Sequence, residues 1–534
     1  MRLLSLLLGL CIAMLLTMNS SAEAACSGGG TTWTCTAGST AAEINSAINS
    51  ASDGAVITLN VGTYSGTGIQ LSGRNGVTVI CQSVGGCTMT GSNSVFEING
   101  CPAARTNLMR ISGFNFTTAG NNKIWIYCTF DITKLRLDNL TFTSIGSGNL
   151  AIFVGEGGGG PPFADRGEVY GVVDHVTCQS PSHNFVCLHN TSGGDQWKTG
   201  NVGSANALFF EDSVCNFGTR SDFTKSCVDN WRAHAMVLRF NTIVGSNLRA
   251  HSYCHYGPEV MEIYGNTIST ESVSSPGAWD IHLQGSGEQM VWGNVVSPQG
   301  SGSLVPIATQ SYRSDSSNLP QGGCTVIADG TQTGAGTPSD PNDGNRSPTS
   351  SYYGYPYWHQ PGRDGAGTLK PMYSFLNRTR GTNAIAHLVV NNSGIWTGSK
   401  ANCANTNSGR VNCHLQLNRD LYQETPSFTG TSGVGVGTLA NRPAVCTPTP
   451  ESADVGNGGV GYWATDQGSW NRSTSNPRGA QFNGADGVLY RCSAANIWTV
   501  AYTPYTYPHP LQAGGTGGTS STTPPSSPTN LRVQ

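Results

Sequence analysis

Seven of the 11 histidines lie between His175 and His282, in short segments that also carry carboxylates, arginines and indoles. The segments are VGEG around Glu156, VCLHN around His189, VDNWRAH from Val228, LRAHSYCHYG from Leu248 and WDIHLQG from Trp279. Placed side by side, Glu156, His189, Asp229, Arg232, Arg249, His251, Asp280 and His282 form one polar strip. A polysaccharide lyase needs a neutral base, such as His251 or Arg249, to remove the proton α to a uronic carboxylate while Arg232 offsets the enolate charge. An inverting glycoside hydrolase needs two carboxylates ~6.5 to 9.5 Å apart. Asp229 and Asp280 approach this at about 9.6 Å, if two coils of the usual strand spacing separate them. A metal would draw on His251, His255 and His282, but these lack the glutamate of an H-E-x-x-H motif. No cofactor is implied, and nothing in the pattern asks for calcium. The bland alternative is a set of stacked turn residues that satisfy one another's hydrogen bonds. Trp231, Tyr253 and Trp279 add flat rings of the kind that stack on sugar faces, with Glu156 and His189 as polar contacts beside them. The aromatic run from Tyr352 to Trp358 is long enough to fold over the strip, and no lysine falls within it, which argues against a lysine-dependent lyase.

Something must hold these segments in register, and a repeated phrase supplies it. MRISGFNFT from Met109 is followed by LRLDNLTFT, GVVDHVTCQ, LFFEDSVCN, VLRFNTIVG, MEIYGNTIS and MVWGNVVS. Each alternates apolar and polar residues over about six positions, the period of a strand. With Gly113, Asn139, His175, Ser213, Thr242, Thr267 and Val295 taken as equivalent, the steps are 26, 36, 38, 29, 25 and 28 residues. Variable steps around a constant short strand exclude a propeller, whose blades need about 40 to 45 residues each. An ordinary sandwich gives no reason for one phrase at coil-length intervals. A parallel β-helix does: a coil of roughly 25 residues makes three short strands, and insertions bulge from its turns. Asn139, Asn241, Asn266 and Asn294 suit left-handed turns and side-chain ladders. Upstream, residues 41–52 read as an amphipathic helix with Ile44, Ala47 and Ile48 on one face, suited to cap an open coil end.

From these residues the chain resembles the right-handed parallel β-helix proteins of the pectate-lyase-like superfamily, over roughly residues 38 to 312. The fold expected is all-β: a right-handed parallel β-helix solenoid with an N-terminal capping helix and an irregular, β-rich C-terminal region. The polygalacturonase-like motifs Asn-x-Asp, Asp-Asp, Gly-His-Gly and Arg-x-Lys do not occur as a set; the nearest is His255-Tyr256-Gly257. The superfamily holds both enzymes and inert adhesins, so its fold does not name an activity. The phrases Trp-Ala-Thr-Asp-Gln at 463–467 and Tyr-Pro-His-Pro-Leu at 507–511 resemble a group of bacterial secreted β-helix proteins often without assigned activity.

Composition narrows the setting. Only 11% of the 534 residues are charged, the net charge is -3, and no window concentrates Lys or Arg, so nucleic acid is not an expected partner. Arg2, the apolar run Leu3 to Leu16 and Ala22-Glu23-Ala24 read as an export signal over residues 1–24. No later run reaches the ~18 apolar residues of a membrane span. Apart from Cys11 in that signal, 16 of the 17 cysteines remain, an even number suited to disulfides. The local pairs are Cys26 with Cys35, Cys81 with Cys87, Cys101 with Cys128, Cys178 with Cys187, Cys215 with Cys227 and Cys403 with Cys413, with Cys446 and Cys492 as a further clasp. The expected divisions are a β-helix over 25–312, an irregular Gly/Pro-rich region over 313–445, a small β module over 446–512 and a linker or tail over 513–534. The expectation is a secreted, extracellular or cell-surface protein that binds or cleaves polysaccharide or cell-surface glycan. A lyase leads, with a glycoside hydrolase and a non-catalytic surface or matrix rod as alternatives.

Overall fold

The computed structural model describes residues 25–103, 106–143, 146, 149–155, 167–179, 185–192, 200–218, 226–231, 235–250, 259–270, 278–283, 287–298, 304–309, 361–364, 368–390, 417–450, 454–473 and 486–513. Within them the chain winds into a parallel β-helix of three long sheets with thirteen, ten and ten strands. The first strands, Cys26–Gly29 and Thr32–Cys35, form an antiparallel hairpin that pairs in parallel with Val56–Leu59. The predicted capping helix spans Ala41–Ser50 and buries Ile44, Ala47 and Ile48. Thr40 and Glu43 close a reciprocal capping box at its start, which satisfies backbone donors that the first turn leaves open.

From Met109–Ser112 to Met372–Phe375, each coil leaves the first sheet through one residue in the left-handed region: Gly113, Asn139, His175, Asp212, Phe240, Gly265, Gly293 and Leu376, with φ from 53° to 86°. The equivalence read from sequence therefore holds for Gly113, Asn139 and His175 and slips at Ser213, Thr242, Thr267 and Val295. The hydrogen-bonded register instead joins Asp138, Asp174, Glu211, Arg239, Tyr264, Trp292 and Phe375, each one residue before the turn. The asparagines divide likewise. Asn139 is left-handed, whereas Asn241, Asn266 and Asn294 follow the left-handed residue and point inward. Asn241 Nδ2 donates to Asn266 Oδ1, Asn266 Nδ2 to Asn294 Oδ1 and Asn294 Nδ2 to Asn377 Oδ1, at 3.0, 3.0 and 2.9 Å. The same Oδ1 atoms accept the backbone N–H of the coil before, so each amide joins two coils. This ladder holds Phe240 and Leu376 where a bulky side chain costs roughly 1 to 2 kcal/mol.

Asn377 also marks where the sequence reading stopped too soon. Met372–Phe375, Arg378–Thr379, Leu388–Val390 and Leu421–Gln423 extend the three sheets, so the solenoid continues past residue 312. The phrase MYSFLNRT had lost its neighbours to a long Gly/Pro-rich stretch, which hid the period. The small module also begins earlier than residue 446, because Val434–Gly437 pairs with Gly461–Ala464 ahead of Val488–Ala494 and Ile497–Tyr502. Six disulfides join Cys26 to Cys35, Cys81 to Cys87, Cys101 to Cys128, Cys178 to Cys187, Cys215 to Cys227 and Cys446 to Cys492, each a predicted pair. Cys403 and Cys413 lie outside the described residues. No helix among the described residues is long and apolar enough to cross a membrane.

The module closes the outer face of the first sheet. Trp463 packs on Trp292 at 4.7 Å, and Asp466 accepts from Leu439 N, so the Trp-Ala-Thr-Asp-Gln phrase is a packing element. From Tyr502 onward the chain runs back over a row of buried charges. Arg239, bonded to Glu211 at 2.5 Å, also donates to the carbonyls of Tyr505 and Thr506. Tyr507 Oη donates to Asp212 at 2.6 Å and His509 N to Glu211 at 2.8 Å, while Arg136 holds Asp174 and the carbonyls of Leu511 and Gln512. Burial and the Arg239 charge push the His509 imidazole down to about 3, so it is neutral and accepts from Leu511 N. Glu262 accepts from Tyr502 Oη and Gly203 N, both at 2.6 Å, and burial pushes its carboxyl up to about 7.

Two consequences are measurable. Replacing Asn266 with Ala removes bonds to both neighbouring coils and should lower unfolding free energy by roughly 1 to 3 kcal/mol in a denaturant titration; an unchanged midpoint would show that the ladder is dispensable. For Glu262 the folded value lies above the unfolded one, so its contribution is whole below about 4.3 and is lost as pH rises through about 7. Melting temperature should fall between about pH 5 and 8, and Glu262→Gln should flatten that dependence.

Candidate functional site

The outer face of the third sheet carries a column in unbroken register: Gln70, Glu97, Trp125, Phe153, His189, Asp229, Arg249, His282, Ala308 and Val389. The outward direction follows from the strand period, since Ile124, Ile126, Ile152, Val154, Leu188, Val228, Leu248 and Ile281 on the adjoining positions belong to the core. Three of the predicted strip residues, His189, Asp229 and Arg249, meet directly. His189 Nδ1 stands 3.6 Å from Asp229 Oδ2 and Arg249 Nε 3.7 Å from Asp229 Oδ1. Their side chains keep 12%, 11% and 19% of their surface exposed, so one carboxylate sits half-screened between an imidazole and a guanidinium. Such a pair is stronger than one on an open surface because solvent screens it less.

Rings set the planes of both histidines. Phe153 lies 5.5 Å from His189 at 25°, Trp231 lies 5.7 Å from it at 51°, and Trp279 stacks on His282 at 3.9 Å and 10°. Trp231 follows its strand, anchored by its N–H to Asn190 O, two residues beyond Asp229 and on the same face. His282 is in register with Arg249 and is nearly buried. Glu156, Arg232, His251 and Tyr253 lie outside the described residues, as do His255 and the run from Tyr352 to Trp358. Among the described residues no three His, Cys, Asp or Glu side chains are placed to hold a metal ion.

Asp280 does not belong to this column. Just before it, each strand kinks, and two successive residues face the core: Ala151 with Ile152, Cys187 with Leu188 and Cys227 with Val228. The pairing skips Ala151, Cys187, Cys227 and Asp280 in turn. Asp280 is fully buried at that place, and its Oδ2 accepts from Ser297 N at 2.6 Å. In the coils before, Cys187 and Cys227 tie the same corner to the second sheet through Cys178 and Cys215. The expected pair of Asp229 and Asp280 is therefore overturned: the two-coil partner of Asp229 is His282. A period-2 count from Trp279 places Asp280 and His282 on one face, and the kink breaks that count.

Trp125 and Phe153 were missed by sequence reasoning, although each is an aromatic residue between two core aliphatics in a strand, Ile124-Trp125-Ile126 and Ile152-Phe153-Val154. The alternation that marked the strands was signal enough. No protein-family model, no curated protein and no solved structure matches the chain.

If Asp280 is a corner tie, Asp280→Ala should lower stability by roughly 1 to 3 kcal/mol by leaving Ser297 N–H buried without its acceptor. Any ligand affinity at the column should survive the change, as read by titration well below the melting temperature.

Proposed function

We propose that the chain is a secreted protein of the pectate-lyase-like kind that binds an extracellular polysaccharide along the third sheet and cleaves it at a uronic residue by β-elimination. The observation that carries this reading is the column itself: one carboxylate, Asp229, between His189 and Arg249, with indoles on either side. Arg249 offers a positive charge to the uronate carboxylate and to the enolate that grows from it. His189, its ring set by Phe153 and Trp231 and facing Asp229, takes the proton α to that carboxylate. The electron pair left behind forms the double bond as the glycosidic C–O bond breaks, and the leaving oxygen takes a proton from water. Elimination is favoured over inverting hydrolysis because the carboxylate once paired with Asp229 is the buried Asp280. The export signal and six disulfides support an oxidising, extracellular setting. Deep burial of Asp229 and His282 favours a second reading, a non-catalytic rod whose polar column only braces its coils.

The two readings part in one experiment. Mature protein is mixed with polygalacturonate, alginate, glucuronoxylan and neutral β-glucan, and unsaturated-product absorbance and reducing ends are followed. The lyase reading expects unsaturated ends from a uronic polymer, and His189→Ala or Asp229→Asn to lower turnover at least a hundredfold with melting shifted by less than the equivalent of about 1 kcal/mol. Reducing ends without unsaturation would make the protein a hydrolase. Destabilisation by both variants, with no binding or product from any polymer, would establish the rod.

A further inference from the structure

The column does not end at His189. Trp125 and Tyr127 stand two residues apart on the same outer face, with ring centroids 5.7 Å apart and planes at 46°. Both are half-exposed, and the Trp125 indole is fixed because its Nε1 donates to Gly155 O at 3.0 Å. One coil back, Glu97 is in register with Trp125 and Asn99 with Tyr127; one coil further, Gln70 is in register with Glu97. Gln70 Nε2 reaches Glu97 Oε2 at 3.5 Å, and Ser72 bonds Asn99. An immobilised indole and phenol beside a carboxylate and amides offer the two things a sugar ring uses: a flat face for its C–H side and acceptors for its hydroxyls.

We infer that Trp125, Tyr127, Glu97 and Asn99 form a distal subsite for a neutral sugar unit of the bound polysaccharide. This rests on the reading of the third sheet as a glycan groove and adds a polarity to it. Asp229 lies three coil spacings from Trp125, about 14 Å at the usual strand separation, so a single sugar does not reach both. The charges differ along the way. Arg249 and His282 stand beyond Asp229, whereas Glu97 is the ionisable group of the column next to Trp125. A uronate over Trp125 would meet the Glu97 carboxylate; a neutral unit would use it as a hydrogen-bond acceptor. The preferred glycan accordingly carries its uronic unit at Arg249 and a neutral unit several residues along the chain.

The test uses full-length mature protein, glucuronoxylan, which has neutral and uronic units, and polygalacturonate, which has only uronic ones. Affinities are measured by calorimetry for long polymers and for oligosaccharides of two or three units. Trp125→Ala and Tyr127→Ala should each weaken binding of long glucuronoxylan about 3- to 10-fold, with the shortest oligosaccharides unaffected and Trp125→Phe restoring most of the loss. Glu97→Gln should raise affinity for polygalacturonate. If Trp125→Ala fails to fold, Tyr127→Ala and Glu97→Gln carry the same comparison. Equal losses on long and short ligands, or no change from any of these variants, would overturn the subsite and leave the groove standing. No binding by wild type to any glycan in the panel would remove the groove and the subsite together.

Discussion

The tight turn out of the first sheet is the constraint on which the rest depends. In the coils from Met109 to Leu376 one residue takes a left-handed conformation there, and the next side chain is thereby driven into the solenoid. Where that side chain is asparagine, at residues 241, 266, 294 and 377, the amides bond coil to coil and fix the vertical register there. Everything on the outer faces inherits this register. His189, Asp229 and Arg249, as far as 60 residues apart in the chain, come together because their coils pair in this register. A slip of one residue would turn every one of them into the core.

The same register builds a second row with a different fate. On the outer face of the first sheet it aligns Asp138, Asp174, Glu211 and Arg239, and on the adjoining outward column Arg110 and Arg136. Arg110 reaches across to Asp138 and Arg136 to Asp174, so each coil neutralises the next. A buried charge without a partner is strongly unfavourable, whereas this row is closed by the returning C-terminal run, whose backbone groups accept from Arg239 and Arg136 and donate to Glu211. One sheet thus spends its outward charges on docking the module, whereas on the third sheet His189 and Arg249 keep part of their surface open beside the nearly buried Asp229 and His282. That contrast is the basis for proposing the third sheet as the functional face.

Legibility in the sequence followed the physical strength of each signal. The strand phrase, the capping helix and the cysteine pairs were readable because each is local: alternation over six residues, Ile44 with Ala47 and Ile48 on one face, Cys178 with Cys187. The coil of Met372 to Thr379 was hidden, although its Leu376-Asn377 is the same turn and ladder pair as Gly293-Asn294, because a period is invisible once its neighbours are far away in sequence. His189, Asp229 and Arg249 were found by residue type and confirmed as neighbours by register. Asp280 was misplaced because a kink of one residue is a three-dimensional event with no compositional mark. Trp125 and Phe153 were passed over because an aromatic residue between aliphatics reads first as core. Tyr-Pro-His-Pro-Leu stood out as a phrase, yet its work is to meet Asp212, Glu211 and Arg136 about 300 or more residues earlier, and local sequence carries no trace of that partner.

The corner kink before the third sheet explains why the site stands where it does. At that kink the core-facing position is tied to the second sheet, by a disulfide at Cys187 and at Cys227 and by the Asp280 carboxylate on Ser297 N. These ties lie two residues before His189, Asp229 and His282 respectively, so each of these column side chains is mounted beside a cross-link. A disulfide restricts the backbone without adding a charge, whereas Asp280 holds its corner with a buried carboxylate and leaves the outward column to Asp229. Rigid mounting is what the proton transfer proposed for His189 requires, because a base displaced by about 1 Å loses most of its advantage. The covalent framework and the polar column are therefore parts of one device: the cross-links fix the corners, and the corners aim the groups.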